Sequence, residues 1–157
     1  WEPRNPKLCS PKADGVLQKI NTQIKNRDFW MPFAPSVLAE RAGDYLVNPK
    51  GLDSPFMTIG FESTDEGRKS LPQALHPADQ TARPQILTRE ANAGYHTLIS
   101  EFEKLSGVGA LLNTSFNLHG RPVVHSPSDA IRDFLDCNLD ALYLEGFEIV
   151  RSGVRCD

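Results

Sequence analysis

The sequence predicts a mixed α/β (α+β) fold, a sheet flanked by helices. Three observations carry this expectation. Apolar residues recur at helical spacing in bounded stretches, and they alternate or cluster in several short strand-like ones. The two kinds intermix along the chain instead of segregating. The 157 residues suffice for one domain with a real core.

The elements follow in order. In "DGVLQKINTQIK", Val16, Leu17, Ile20 and Ile24 share a helical stripe that ends near Lys25 and Arg27. "DFWMPFAPS" is too rich in proline for a helix. Ser36 is positioned to cap a short helix carrying Leu38, Ala42, Tyr45 and Leu46. "PFMTIGFE" alternates Met57, Ile59 and Phe61 with Thr58 and Gly60, a strand pattern. Residues 63–82 have little periodicity and predict a long loop. "RPQILT" is a short strand candidate. "AGYHTLISEFEKLSG" is a helix with Tyr95, Leu98, Ile99, Phe102 and Leu105 on one face and Gly107 as its stop. "GALLNTSF" is a strand. "SPSDAIRDFLD" opens with Ser126 as N-cap, Pro127 first in the helix and Asp129 at the third position, then Ile131, Phe134 and Leu135 on one face. "LDALYL" and "FEIV" are closing strands split by Glu145-Gly146.

The charge balance excludes some function classes. A net charge of −3 argues against a general nucleic-acid binder. Residues 1–27 nonetheless hold six Lys and Arg against Glu2 and Asp14. That basic end faces either an anionic ligand or solvent. No apolar stretch approaches the roughly 20 residues that cross a bilayer, and no signal peptide is evident. Cys9, Cys137 and Cys156 are odd in number and widely spaced, so no disulfide framework is expected and a reducing cytoplasm fits. The chain opens on "WEPRNP" without Met, which suggests a piece of a longer protein.

Phosphate-loop, dinucleotide-fold and nucleophile-elbow motifs do not occur. His76, His96, His119 and His125 lack metal-ligand spacing, and no metal-binding residue is predicted; His96 is expected at the surface. Lys25 and Arg27 alternate as they leave a helix. They are either a paired grip on an anion or solvated charges at a helix C-terminus. Arg83, before Pro84, can fork onto a phosphate or carboxylate, or form a surface ion pair. Ser115 and Asn117 lie two apart near a strand end and so face one way. They either hold a small polar group or cap a turn.

Together, "IKNRDFWMPFAPSVLAE", "SPFMT", "HPADQTARPQ", "LLNTSFNLHGRPVVHSPSDAI" and "LDAL" resemble, in order, the C-terminal domain of the NodU/CmcH carbamoyltransferase family. The likeness covers roughly residues 20–150. That family carbamoylates hydroxyls of nodulation factors, cephalosporins and aminoglycosides. The resemblance implies a YrdC-like fold, an open twisted mixed sheet. It further implies formation of carbamoyl adenylate from carbamoyl phosphate and ATP, with Mg²⁺ carried by the nucleotide. An N-terminal actin-like domain of the same parent protein then passes the carbamoyl group to a small-molecule hydroxyl acceptor.

Within the resemblance, Lys25-Asn26-Arg27 is similar to the family's Lys-x-Arg element, Ser115-Phe116-Asn117 to its Ser-x-Asn element and Arg83 to the arginine of its Arg-Pro-Gln segment. Lys25, Arg27 and Arg83 are then the catalytic and phosphate-binding cations, and Ser115 and Asn117 bind substrate or nucleotide. Three departures stand out. The family's upstream Gly-Pro-Arg-Ala-Leu-Gly segment is missing, with Arg4 in "EPRNP" similar to its later Asp-Pro-Arg. Met31 stands where arginine is common, and the actin-like domain is absent. Arg121 stands where relatives carry an acidic residue and is left outside the core site. Two alternatives are a noncatalytic nucleotide- or anion-binding module and a tRNA-modifying enzyme forming threonylcarbamoyl adenylate. Net charge and the "MPFAPS" and "TARPQ" segments disfavour the second.

Overall fold

A computed structural model describes residues 32–151 together with Pro11, Gly15, Gln18, Ile20 and Asn21. The chain divides into two compact units, one containing Arg27–Thr114 and the other Ser115–Asp157. Most of the first predicted helix lies outside the described residues, although Gln18 and Ile20 are helical and Ile20 is buried.

In the Arg27–Thr114 unit, β1 (Ala34–Leu38) leads through a short 3₁₀ turn into α1 (Ala42–Tyr45) and β2 (Leu46–Val47). Next come β3 (Phe61–Ser63), α2 (Asp65–Ser70), β4 (Thr81–Ala82) and β5 (Gln85–Leu87). α3 (Ala93–Ser106) and β6 (Ala110–Asn113) complete it. β1 is the centre of a mixed sheet, parallel to β5 (Ser36 opposite Gln85) and antiparallel to β6 (Ala34 opposite Asn113). β2, β3 and β4 form a small antiparallel sheet of their own. The mixed α+β class holds, with the described strands in three small sheets instead of one.

The sequence assigns Ser36 to a helix cap, yet it lies mid-strand in β1 and is fully buried. The pairing partners that make it a strand come from far along the chain and override the local signal. Pro35 is tolerated there because β5 is in register only from Ser36 onward, which leaves one flank of Pro35 unpaired. The strand expected over "PFMTIGFE" is shorter and begins at Phe61; Met57 upstream takes a positive φ of 58°.

Residues 63–82 are not a structureless loop. Thr64 caps α2 by accepting from the Gly67 amide at 2.9 Å, with Asp65 and Glu66 in the first turn and Arg68 and Lys69 in the last. Gly67 is required by contact: a Cβ there would sit 2.1 Å from the carbonyl oxygen of Tyr45.

α3 begins at Asn92, whose side chain accepts from the Tyr95 amide at 2.9 Å, and stops as expected at Gly107, with φ 73°. Tyr95, Ile99 and Phe102 pack on Leu38, Leu87 and Leu111. Leu98 and Leu105 do not join them, and Leu105 is 89% exposed. At 100° per residue they fall on the flank of the Tyr95–Ile99–Phe102 stripe.

In the Ser115–Asp157 unit, α4 (Pro127–Leu135) carries the predicted capping box. The Asp129 amide donates to Ser126 Oγ at 3.1 Å, and the Ser126 amide donates to Asp129 Oδ2 at 3.1 Å. Its buried side comprises Ala130, Asp133 and Phe134, whereas Ile131 and Leu135 are exposed, contrary to the predicted face. β7 (Ala141–Leu144) and β8 (Phe147–Val150) form the expected hairpin, in which Glu145 takes φ 53°. Phe116, Val124, Ala130, Phe134 and Leu142 make this unit's core. Among the described residues, no helix is long and apolar enough to cross a membrane.

Candidate functional site

The predicted cations Lys25 and Arg27 lie outside the described residues, as do Arg4 and Met31. Arg83 sits between β4 and β5 on a backbone fixed from both sides. Ala82 pairs with Phe61, and the buried Pro84 accepts from Ser54 Oγ at 2.9 Å. The Ile86 amide donates to the Ser54 carbonyl at 2.8 Å. Arg83 itself is exposed and, among the described residues, has no hydrogen-bond or ion-pair partner. An exposed guanidinium on a backbone bonded at both flanks suits capture of a phosphate or carboxylate.

β6 ends at Asn113, so Ser115 and Asn117 belong to a turn and strand alternation does not set their directions. Ser115 Oγ donates to Asn117 Oδ1 at 2.7 Å, and Asn117 Nδ2 donates to the Arg121 carbonyl at 2.7 Å. Phe116 between them is buried and returns the chain through a 3.0 Å bond from the Val124 amide. Both side chains therefore take part in hydrogen bonds within their own loop.

Arg121 has a defined task in the same unit. Its guanidinium pairs with Asp133 at 2.7 Å and Asp136 at 2.8 Å, and these two acceptors raise its pKa. Asp133 is 2% exposed and also accepts from the Leu118 amide at 3.2 Å. Helix α4 thus anchors the turn that carries Ser115 and Asn117. A depression of about 410 Å³ beside it is lined by Arg121, Val123, His125, Asp129 and Arg132 among others. Its charges are mixed and largely paired, as in Arg132–Asp129 at 2.7 Å.

Two features escaped the sequence. His96 is buried, not at the surface, and its Nε2 lies 2.9 Å from Glu40 Oε1. At one end of the mixed sheet, Ser36, Gln85 and Asn113 form a polar cluster on three adjacent strands. Ser36 Oγ donates to Gln85 Oε1 at 2.9 Å. Asn113 Nδ2 donates to Ser36 Oγ at 2.9 Å and to Gln85 Oε1 at 3.1 Å. Tyr95 closes the cluster from α3. Its hydroxyl is buried near Ser36 with no partner in hydrogen-bond geometry among the described residues, and burial pushes its pKa up to about 12. A polar residue ending the apolar run "ALLN" was the available signal for Asn113.

Residues 7–151 match the family model described as carbamoyltransferase C-terminus. The chain belongs to that family. An uncharacterized protein of Methanocaldococcus jannaschii is 41% identical over 144 residues, 92% of this chain and 23% of the relative. Nodulation protein NolNO of Sinorhizobium fredii is 37% identical over 143 residues, 90% of this chain and 21% of that protein. Nodulation protein NolO of Bradyrhizobium diazoefficiens is 37% identical over 141 residues, 89% and 26% respectively. The chain spans about a quarter of the length of the curated relatives it matches.

Proposed function

We propose that this chain is the carbamoyl-activating part of an O-carbamoyltransferase, with a YrdC-like fold. Carbamate, released with phosphate when water cleaves carbamoyl phosphate, attacks the α-phosphorus of ATP; a P–O bond forms and pyrophosphate leaves. Both substrates are polyanions, so the reaction needs fixed cations that offset repulsion and hold the groups in line. Arg83 supports the reading most directly: its exposed guanidinium has no internal partner among the described residues, and the residues on both sides of it are held by hydrogen bonds. In a family of carbamoyltransferase C-termini, an anionic substrate is the natural counter-ion for such a group.

Lys25 and Arg27 are the further cations of the proposal, and Ser115 and Asn117 its hydrogen-bonding groups. Mg²⁺ arrives on the phosphates of ATP. An actin-like domain of the same parent then transfers the carbamoyl group to a small-molecule hydroxyl, in the cytoplasm.

The test is carbamoyl phosphate-dependent ATP–pyrophosphate exchange by the protein carrying this chain. Arg83→Ala and Asn117→Ala lower it at least about tenfold, the scale of a lost charge-assisted or buried hydrogen bond, with melting unchanged for Arg83→Ala. Full exchange in both variants would sink the assignment. Calorimetric binding of nucleotide with no response to carbamoyl phosphate would favour a noncatalytic module instead.

A further inference from the structure

We infer that Phe56 is the platform on which the adenine ring of ATP stacks. The inference rests on the activity proposed above. It starts from an aromatic side chain that the fold displays instead of burying. Phe56 is 64% exposed, whereas Phe33 and Phe61 in the same unit are 2% and 5% exposed. The backbone around it is constrained on both sides. Pro55 before it has φ locked by its own ring. Met57 after it takes a positive φ of 58°, a region disfavoured for a side chain with a Cβ and no local hydrogen bond to offer. Such a conformation persists where surrounding contacts enforce it.

Those contacts are present. Asn48 Nδ2 donates to the Leu52 carbonyl at 3.0 Å, and the Leu52 amide donates to Asn48 Oδ1 at 2.9 Å, closing the loop upstream. Ser54 Oγ donates to the Pro84 carbonyl at 2.9 Å, and the Ile86 amide donates to the Ser54 carbonyl at 2.8 Å. Gln85 Nε2 donates to the Pro55 carbonyl at 3.2 Å. The segment leading to Phe56 is therefore tied to the residues that directly follow Arg83. Phe56 lies two residues beyond Ser54, at most about 7 Å of chain, and Arg83 lies one residue before Pro84. A guanidinium suits the phosphates of ATP and offers nothing to stack on its base that is not already charged. An aromatic ring complements it, because a nucleobase presents a flat π-face whatever its edge chemistry. Carbamoyl phosphate has no such face. A ring whose backbone is ordered in advance also loses little conformational entropy on binding.

The experiment measures calorimetric binding of ATP and of inorganic tripolyphosphate, each with Mg²⁺, to the full 157-residue chain. Phe56→Ala weakens ATP by about tenfold, within the range of base–aromatic stacking lost on alanine substitution, and leaves tripolyphosphate unchanged. Phe56→Tyr, which keeps the ring, keeps the ATP affinity. Arg83→Ala weakens both ligands. Melting is unchanged in both Phe56 variants, because the side chain is exposed. ATP affinity unaltered in Phe56→Ala overturns the inference while leaving the parent activity standing. Equal weakening of ATP and tripolyphosphate in that variant also overturns it, since the ring would then support the phosphate site and not the base. Wild type binding neither ligand overturns both.

Discussion

Replacing Gly67 with alanine sets two effects of opposite sign against each other. In a helix interior, alanine is favoured over glycine by up to about 1 kcal/mol. At position 67 the new Cβ meets the Tyr45 carbonyl oxygen at 2.1 Å, its carbon at 3.0 Å and its Cα at 3.2 Å. The obstacle is backbone, so it cannot swing aside, and α2 must retreat by about 1 Å, typical overpacking worth about 1–3 kcal/mol. Retreat also stretches the Thr64 amide bond to Tyr45 O (3.0 Å) and the Thr64 cap on the Gly67 amide (2.9 Å), each worth about 1 kcal/mol. A six-residue helix has little stability of its own to absorb the loss. The net expectation is a loss of about 2–4 kcal/mol, or a fall of about 5–15 °C in Tm for a chain this size. Thermal melting followed by circular dichroism measures it, with exposed Lys69→Ala in the same helix as a control within about 0.5 kcal/mol. A Tm equal to or above wild type would mean propensity wins and the close approach of α2 to Tyr45 is wrong.

Tyr95→Phe removes a buried hydroxyl that has no hydrogen-bond partner among the described residues and leaves stability at pH 7 equal to wild type or up to about 1 kcal/mol higher by urea titration. Burial raises the Tyr95 pKa by penalising its ionised form, so this group leaves stability at its full value below about pH 10 and lowers it as pH rises toward about 12; the phenylalanine variant flattens this alkaline limb. Ser126→Ala deletes the α4 cap and costs about 1 kcal/mol in the same assay. Asp129 is held below the usual carboxylate range, first by the Ser126 hydroxyl, so its contribution is present above about pH 4 and fades as pH falls further; the Ser126→Ala deficit shrinks in acid accordingly. Glu145→Gly relieves a positive φ in the β7–β8 turn and raises stability by about 0.5 kcal/mol, read as a higher melting temperature.

What could be read from the sequence was local in origin. The Ser126–Asp129 box, the stop at Gly107 and the Glu145-Gly146 turn each depend on a few neighbouring residues, and each stands where expected. β1 did not declare itself because its strand character comes from partners 49 and 77 residues away, as the bonds of Ser36 to Gln85 and Asn113 show. α2 was hidden because its packing side is a glycine against a carbonyl, a contact without hydrophobic periodicity. In α3 the apolar pattern was right in period but generous in width, taking in Leu98 and Leu105. Arg83 is legible as a cation before a proline, whereas the Ser36–Gln85–Asn113 cluster is not, because its members meet only across strands far apart in sequence.

In the proposed function, the bond between Ser115 and Asn117 makes ligand capture there an exchange. A hydroxyl already donating at 2.7 Å must let go before it can donate to a phosphate oxygen. Each new contact then replaces an old one, and a bound complex displaying several fresh bonds to these residues gains only the difference. On the proposed reading the turn is a self-filled socket, and only ligands that out-compete an amide would displace its internal bond.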